Sequence, residues 1–311
     1  MTAVEQKVII SEVGTRDGLQ IEPDFVATED KIRLVDALSN AGISKIEVTG
    51  FAHPKVVPQL RDAEEVLRGI KRRSGTRYAA YVPNVRGTER ALSAGVDELK
   101  AGFAASQTFN ELNVRKSTES AVQTFREIAA AARGNPAQVV GVIGTAFGCP
   151  YEGRVEPDAV LTLIDAQVES GARTIYLADT TGMANPRVVV QLVQRAVARW
   201  PEVAFGLHLH NTRGVGIANA LAGLEVGVRA FESSIGGLGG CPYAPRAVGN
   251  ICTEDFVHML HEMGYRTGID LDALIDAAQL AEGVLGRALP GMVMKAGKAT
   301  ALHDPALKRD R

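Results

Sequence analysis

The chain of 311 residues is 46% hydrophobic and 23% charged, which is the composition of an ordinary globular protein. Its formal net charge of -2 provides no basic field for nucleic acid and no signal for a membrane surface. No apolar run approaches the roughly 18 to 20 residues that a transmembrane helix needs, and the first residues lack the features of a signal peptide. The three widely spaced cysteines do not form a disulfide framework, so we expect a reducing, cytoplasmic setting.

Strand-like apolar runs alternate with amphipathic helical runs along the whole chain. Strands are predicted at residues 8–13, 45–49, 78–82, 98–103, 139–145, 174–178, 203–210 and 229–233. Helices follow them at residues 28–42, 63–70, 89–94, 118–132, 157–170, 186–199 and 216–226. Eight strands, each followed by a helix, predict an α/β fold of the (β/α)₈ barrel class. A doubly wound open sheet is the alternative, but no G-x-G-x-x-G follows the first strand.

The chain beyond the eighth strand adds two further helices, predicted at about residues 253–263 and 270–284. No linker rich in proline or serine divides the sequence, so one domain is expected. We therefore predict a catalytic barrel with added C-terminal helices over residues 1–290. Residues 291–311 are predicted to form a partly mobile C-terminal tail, because they lack apolar periodicity.

Two histidines end the seventh strand. His208 and His210 are two residues apart, so their side chains project to the same side of a strand. Convergent imidazoles form half of a metal site, and a pair of hydrogen-bonded core histidines is the alternative. Arg16 and Asp17 follow the first strand and also place charged groups at a strand end. Charged and imidazole side chains at the ends of both strands are hard to explain as parts of a hydrophobic core.

Further polar residues follow other strands, where the chemistry of a (β/α)₈ barrel lies. Glu47 belongs to the second strand, Asp179 follows the sixth, and Asn250 lies beyond the eighth. Taken singly, Glu47 is also explained as a partner of Arg16, and Asp179 as the cap of the next helix. A carboxylate and two imidazoles converging on one barrel mouth nevertheless favour a divalent metal.

A glycine-rich loop, residues 236–243, follows the eighth strand. Its glycines permit positive φ and close backbone approach, so the loop is predicted to move and to fold over a ligand. Cys241 lies in this loop between glycine and proline rather than among packing residues, which favours a reactive thiol. Cys149 and Cys252 fit the burial that is usual for cysteine.

Several of these segments together resemble one family, the 3-hydroxy-3-methylglutaryl-CoA lyases. Residues 12–20, Glu-Val-Gly-Thr-Arg-Asp-Gly-Leu-Gln, resemble its opening signature, and residues 237–244 resemble its catalytic loop. Residues 146–153, 179–182 and 249–250 match it as well. The resemblance runs in register from about residue 8 to residue 285. These lyases are related to other metal-dependent barrels, the isopropylmalate and homocitrate synthases.

The resemblance implies a role for each site residue. It implies four ligands for Mg²⁺ or Mn²⁺, which are Asp17, His208, His210 and Asn250. Arg16 would stabilise the developing enolate oxygen of the thioester, and Cys241 would be the general acid. Glu47 and Asp179 would shape the site around Arg16 and the substrate hydroxyl. The base for that hydroxyl stays open between His208, Asp179 and a metal-bound water.

The predicted function is metal-dependent cleavage of 3-hydroxy-3-methylglutaryl-CoA, or a close 3-hydroxy-acyl-CoA, to acetyl-CoA and acetoacetate or the matching keto acid. Arg16, Gln20 and Gly240 would contact this acyl-CoA substrate. The resemblance also implies leucine degradation and a homo-oligomer, by default a dimer. Asn211, where the lyases carry aspartate, favours the first alternative, a synthase that condenses acetyl-CoA with a 2-keto acid. An Fe(II) enzyme and a non-catalytic metal-binding barrel are the others.

The chain departs from the family around the predicted mouth of the barrel. Ile21 stands where the family has asparagine, and Pro23 where it has lysine. Gly50 and Val56 replace serine and tryptophan. These changes make the surroundings roomier or less polar, so we expect a larger or more apolar substituent at C3 of the substrate than methyl.

Overall fold

The computed structural model describes residues 7–240 and 248–302. Eight parallel strands close into a barrel, each paired with its sequence neighbours and β8 with β1. The strands are β1 Ile9–Glu12, β2 Lys45–Gly50, β3 Arg77–Tyr81, β4 Glu98–Ala104, β5 Gln138–Gly144, β6 Thr174–Asp179, β7 Ala204–Leu209 and β8 Ala230–Ser233. The predicted (β/α)₈ barrel is confirmed, because a strand occupies every predicted position.

Helices connect the strands on the outside of the barrel. They are α1 Thr28–Asn40, α2 Ala63–Gly69, α3 Val85–Ser93, α4 Gln107–Val114, α5 Thr118–Ala131, α6 Pro157–Glu169, α7 Pro186–Arg199 and α8 Gly216–Glu225. In α5 the apolar face packs on the barrel, and Phe125 meets Phe103 of β4 edge to face at 6.0 Å between ring centroids. No helix of the described part of the chain is both long and apolar enough to cross a membrane.

Two helical segments differ from the prediction. Helix α3 begins at Val85 rather than at residue 89, because the Asn84 side chain caps it by accepting from the Gly87 N–H at 2.9 Å. Helix α4 was not predicted. Among its residues only Phe109 and Asn110 are buried, so it lacks the periodic apolar stripe that identifies the other helices.

Three helices follow the barrel: α9 Thr253–Glu262, α10 Leu271–Leu285 and the short α11 Val293–Ala296. Helix α10 packs on α1, and α11 packs on α9 and α10. Asp255 of α9 accepts from the Met292 and Val293 N–H groups at 3.0 and 2.7 Å, so it caps α11. The first part of the predicted tail is therefore packed on the barrel's added helices. Residues 303–311 of that tail lie outside the described residues.

An irregularity in β2 lies at the barrel mouth. Glu47 pairs with Ala79 of β3, whereas Thr49 pairs with Ala80, so Val48 is the extra residue of a β-bulge. Bulges often re-aim side chains beside active sites. This one lies between Glu47 and Thr49, both of which are buried.

Candidate active site

The turn after β1 carries the first site residues. The backbone N–H groups of Arg16, Asp17 and Gly18 all point at the Val13 carbonyl oxygen, at 3.1, 2.7 and 3.4 Å. The chain therefore curls into one π-helical turn, Gly14–Gly18, directly at the strand end. This turn places Arg16 and Asp17 over the mouth of the barrel, as the sequence predicts.

Three predicted ligands converge there. The candidate ligand atoms of Asp17, His208 and His210 all lie within 4.8 Å of one another, and all three residues are buried. Asp17 Oδ2 lies 4.0 Å from His208 Nε2 and 3.9 Å from His210 Nε2. The charged ends of β1 and β7 thus meet across the barrel closure, with β8 between them.

Both imidazole rings are held through Nδ1. His208 Nδ1 lies 2.8 Å from Glu232 Oε2, and His210 Nδ1 lies 3.1 Å from the Val248 carbonyl oxygen. Since both partners are acceptors, each Nδ1 carries a proton and donates, which leaves each neutral ring with a bare Nε2. The two Nε2 atoms lie 3.1 Å apart, within hydrogen-bond distance of each other. An Nδ1–H donor bond is the usual support of a metal-ligating histidine, so both rings are oriented to coordinate a cation through Nε2.

Asn250 supplies a fourth candidate ligand. Its Nδ2 donates to Asp17 Oδ2 at 2.8 Å. Its Oδ1 is buried and has no hydrogen-bond partner within residues 7–240 and 248–302. Carboxylate and amide oxygens suit Mg²⁺ and Mn²⁺, and imidazole suits zinc, copper, iron and nickel. The donor set therefore fits a divalent cation.

Gly239 shows how closely the glycine-rich loop approaches these ligands. Its φ is +114°, and a Cβ at this position would lie 2.7 Å from Asn250 Nδ2 and 3.5 Å from Asp17 Oδ2. Glycine is required here both for its backbone conformation and for space. Gly240, a predicted substrate contact, is buried beside it. Cys241 lies outside the described residues, so its place over the site remains a prediction.

Arg16 is held by two carboxylates and an aromatic ring. Its Nε forms an ion pair with Glu47 Oε1, and its Nη1 donates to Asp17 Oδ1 at 2.8 Å. The guanidinium carbon lies 5.2 Å from the centre of the Tyr81 ring. Burial lowers the pKa of Arg16, but the charges of Glu47 and Asp17 more than offset this, so its pKa rises overall. Arg16 is a fixed cation at the mouth.

The charges at the ligand cluster favour metal binding. Burial raises the pKa of Asp17, but Arg16 and the histidines outweigh it and the pKa falls, so Asp17 is ionised. Burial and neighbouring His208 lower the pKa of His210 to about 4. Burial also lowers the pKa of His208, but the hydrogen bond and the charge of the Glu232 carboxylate outweigh burial, so the pKa of His208 is raised overall. Because metal ligands must be deprotonated, an ionised Asp17 and a neutral His210 are ready to coordinate.

Gln20 contacts the ligand cluster itself. Its Nε2 donates to Asp17 Oδ1 at 2.8 Å, beside the Arg16 contact. Gln20 therefore orients a candidate metal ligand, and its predicted contact with substrate stays a prediction.

Asp179 has one engaged and one free oxygen. Its Oδ1 accepts from the Met183 and Ala184 N–H groups at 2.8 and 3.1 Å, so it caps the turn before α7. Its Oδ2 is buried and has no hydrogen-bond partner in the described part of the chain. Burial raises the pKa of Asp179 to about 6, against the effect of the two N–H groups. Both interpretations of Asp179 are thus compatible: one oxygen caps, and the other is available for chemistry.

A buried charged cluster below the ligands was missed by the sequence analysis. Glu232 of β8 holds His208, and Lys100 of β4 contacts both Glu232 and, at 3.1 Å, Glu47 Oε2. Both residues are charged side chains at buried positions of barrel strands, where charged residues are rare unless they are paired. That pattern is the signal that could have identified them. Cys149 and Cys252 are buried, as predicted.

Known proteins that are similar to this chain belong to one family. The HMGL-like family model matches residues 7–281. The hydroxymethylglutaryl-CoA lyase YngG of Bacillus subtilis is 43% identical over 295 residues, which are 95% of this chain and 99% of that protein. The (R)-citramalyl-CoA lyase of Chloroflexus aurantiacus is 42% identical over 302 residues, with 94% and 95% of the two chains covered.

A solved structure is equally similar. It is an HMG-CoA lyase from Acinetobacter baumannii in complex with coenzyme A and 3-methylmalate, with a TM-score of 0.93 and 44% identity, covering 98% of this chain and 99% of that one. The barrel, the converging ligand set and these relatives lead to one assignment: the chain belongs to the HMGL-like family and is an enzyme of the hydroxymethylglutaryl-CoA lyase type.

Proposed function

We propose that this enzyme cleaves 3-hydroxy-3-methylglutaryl-CoA, or a close 3-hydroxy-acyl-CoA, to acetyl-CoA and acetoacetate or the matching keto acid. One observation carries the proposal. Asp17 joins the two halves of the site, because its Oδ1 accepts from Arg16 at 2.8 Å while its Oδ2 faces both histidines at about 4 Å. A thioester oxygen beside Arg16 and a hydroxy acid beside the histidines can therefore be held next to each other. Cleavage of the carbon–carbon bond between these two parts of the substrate requires that arrangement.

The reaction breaks the bond between C2 and C3. The C3 hydroxyl loses its proton and becomes a ketone, and the electron pair of the broken bond passes to C2. The fragment that keeps the thioester is then an enolate, which becomes acetyl-CoA when C2 gains a proton. The site must therefore supply a base for the hydroxyl, a cation for the enolate oxygen and an acid for C2.

The residues that would hold Mg²⁺ or Mn²⁺ are Asp17, His208, His210 and Asn250. Bound there, the ion would orient the hydroxy acid and lower the pKa of its hydroxyl. Asp17 is the only residue of this set with a formal charge, so the loaded site stays positive towards an anionic substrate.

The remaining roles follow from which atoms are free. Arg16 is always charged and would stabilise the enolate oxygen without acting as a proton donor, and Glu47 would hold its orientation. The two histidines are committed through Nδ1 and by their place in the ligand set. Asp179 keeps one buried oxygen without a hydrogen-bond partner among the described residues. We therefore assign Asp179 as the base that accepts the proton of the C3 hydroxyl. Cys241, by family resemblance, would protonate C2.

The pH dependence tests the assignment of Asp179. Because its pKa is raised to about 6, it is protonated below that pH and accepts a proton only above it. We expect kcat/KM to rise about tenfold per pH unit below pH 6 and to level off above it. Asp179→Asn should be slower by about 10²- to 10⁴-fold and lack this limb. An unchanged rising limb in the variant would assign the base to another group.

Metal dependence tests the ligand set. A chelator should abolish activity, and Mg²⁺ or Mn²⁺ should restore it. His210→Ala should weaken Mn²⁺ binding in calorimetry while far-ultraviolet circular dichroism stays that of the wild type, because residues at the barrel mouth contribute little to stability. Full activity after exhaustive removal of metal would contradict the proposal.

Substrate choice tests the proposed function directly. Purified enzyme should release acetyl-CoA and acetoacetate from 3-hydroxy-3-methylglutaryl-CoA, with both products identified by mass spectrometry. Citramalyl-CoA is the second candidate substrate, favoured by the relative that is 42% identical; its cleavage gives acetyl-CoA and pyruvate. Release of acetyl-CoA from neither compound would refute the proposal.

Gly50 bears on the C3 substituent of the substrate. A Cβ at Gly50 would lie 3.2 Å from Leu60 Cδ1 and 3.6 Å from Arg16 Cγ, so its absence leaves space beside Arg16. In the same assay we expect kcat/KM for thioesters with longer C3 chains to exceed that for the methyl compound. Gly50→Ser should shift the preference towards methyl. If the wild type prefers methyl over every longer chain, Gly50 does not set this specificity.

A further inference from the structure

Four side chains from the even-numbered strands meet inside the barrel, below the ligand cluster. They are Glu47 of β2, Lys100 of β4, Tyr176 of β6 and Glu232 of β8, and all are buried. Barrels of this class fill such layers mainly with valine, isoleucine and leucine. Here the layer consists of two carboxylates, an ammonium and a phenol. We call these four residues the charged layer.

Lys100 is the centre of the charged layer. Its Nζ lies 3.1 Å from Glu47 Oε2, forms an ion pair with Glu232 Oε1 and donates to Ser11 Oγ at 3.2 Å. It also lies 5.2 Å from the centre of the Tyr176 ring. That ring fits because residue 206 is glycine: a Cβ there would lie 2.4 Å from Tyr176 Cε1. The barrel interior is therefore shaped around the ammonium.

Stability does not explain this arrangement. A buried ion pair loses its hydration, and replacement by apolar residues of similar volume is often neutral or stabilising. The carboxylate oxygens that do not contact Lys100 suggest a better reason for the charged layer. Glu47 Oε1 holds Arg16, and Glu232 Oε2 holds His208 Nδ1 at 2.8 Å. Lys100 thus connects the residue that faces the thioester with a candidate metal ligand, although its ammonium contacts neither.

We infer that Lys100 is a positioning residue for the lyase reaction, an inference that rests on the proposed function. Its ammonium contacts the Glu47 and Glu232 carboxylates and holds them in place, so that Arg16 and His208 keep their orientations. Without the ammonium, the two buried carboxylates lose their shared partner and repel each other across the layer, so neither is held in place. A displaced Glu232 no longer orients the His208 ring, whose affinity for metal then falls.

Lys100→Met provides the first test. Calorimetric titration with Mn²⁺ should show binding about 10- to 100-fold weaker than in the wild type. With Mn²⁺ at saturation, kcat should still be reduced while KM for the acyl-CoA changes little, because the Arg16 orientation matters most in the transition state. A purely structural lysine would change the melting temperature and leave both quantities as in the wild type.

Lys31→Met is the matched control. Lys31 of α1 is also buried, and its Nζ lies 2.7 Å from Asp62 Oδ1, outside the barrel. This variant should lower the melting temperature yet bind Mn²⁺ with wild-type affinity. If Lys100→Met behaves in the same way as Lys31→Met, the inference is overturned.

A double variant covers the case in which Lys100→Met does not fold. Lys100→Met combined with Glu232→Gln removes both members of the ion pair, so no uncompensated charge remains between them. If Lys100 acts on the metal site through Glu232, the double variant should bind Mn²⁺ as Glu232→Gln alone does. A further loss of affinity would show that Lys100 acts by another route. Since Mn²⁺ titration needs no acyl-CoA, failure of the proposed reaction would leave this result interpretable.

Discussion

Arg16→Met is expected to lower kcat by about 10²- to 10³-fold, the loss that typically follows removal of one preorganised group facing a developing oxyanion. The physical reason is the fixed position of the guanidinium, which Glu47, Asp17 and the Tyr81 ring hold at the barrel mouth. Steady-state kinetics with saturating Mn²⁺ is the measurement. Arg16→Lys should recover little, because an ammonium cannot reproduce the separate Nε and Nη1 contacts.

Arg90→Met is a suitable control for the Arg16 variant. Arg90 donates to both oxygens of Glu64 at 2.7 and 2.9 Å and lies over the Phe51 ring, so it combines the same kinds of contact in helix α3. It should change stability slightly and leave kcat unaltered. Equal activity of the Arg16 and Arg90 variants would mean that Arg16 only organises the turn after β1.

Cys241→Ser should slow turnover by about 10²- to 10⁴-fold, the usual range for loss of a proton-transfer group. A thiol with an ordinary pKa of about 8.5 can protonate an enolate carbon, whereas a serine hydroxyl is a far weaker acid. Metal affinity and KM should change little, since Cys241 does not belong to the proposed ligand set. Single-turnover kinetics should locate the defect in the chemical step.

Thiol modification gives an independent measure of the same residue. Cys149 and Cys252 are buried, so Cys241 should react first with an alkylating reagent, and substrate should protect it. Peptide mass spectrometry identifies the modified site. If the Cys241→Ser enzyme is as fast as the wild type, Cys241 does not transfer the proton, and the glycine-rich loop only covers the site.

The sequence alone determined those features that depend on local geometry. Apolar runs alternating with helical stripes predicted all eight strands in order, because strand and helix periods differ. His208 and His210 were predicted to project together, since side chains two apart on a strand share a side. Asp17 joined them because strand ends of a barrel meet at one face. Glu47 was left open between ion pairing and shaping the site; the structure shows the ion pair with Arg16.

Only the tertiary structure decided the contacts that depend on strand register and barrel closure. Lys100 and Glu232 are 132 residues apart, and nothing local indicates that one ammonium meets carboxylates from β2 and β8. The same holds for the tethers on the two histidines, one from β8 and one from the Val248 backbone. Helix α4 was not predicted, because few of its residues are buried and its sequence shows no periodic apolar stripe. A short-range pattern specifies which face a side chain occupies, whereas its partner across the barrel is fixed only when all eight strands close.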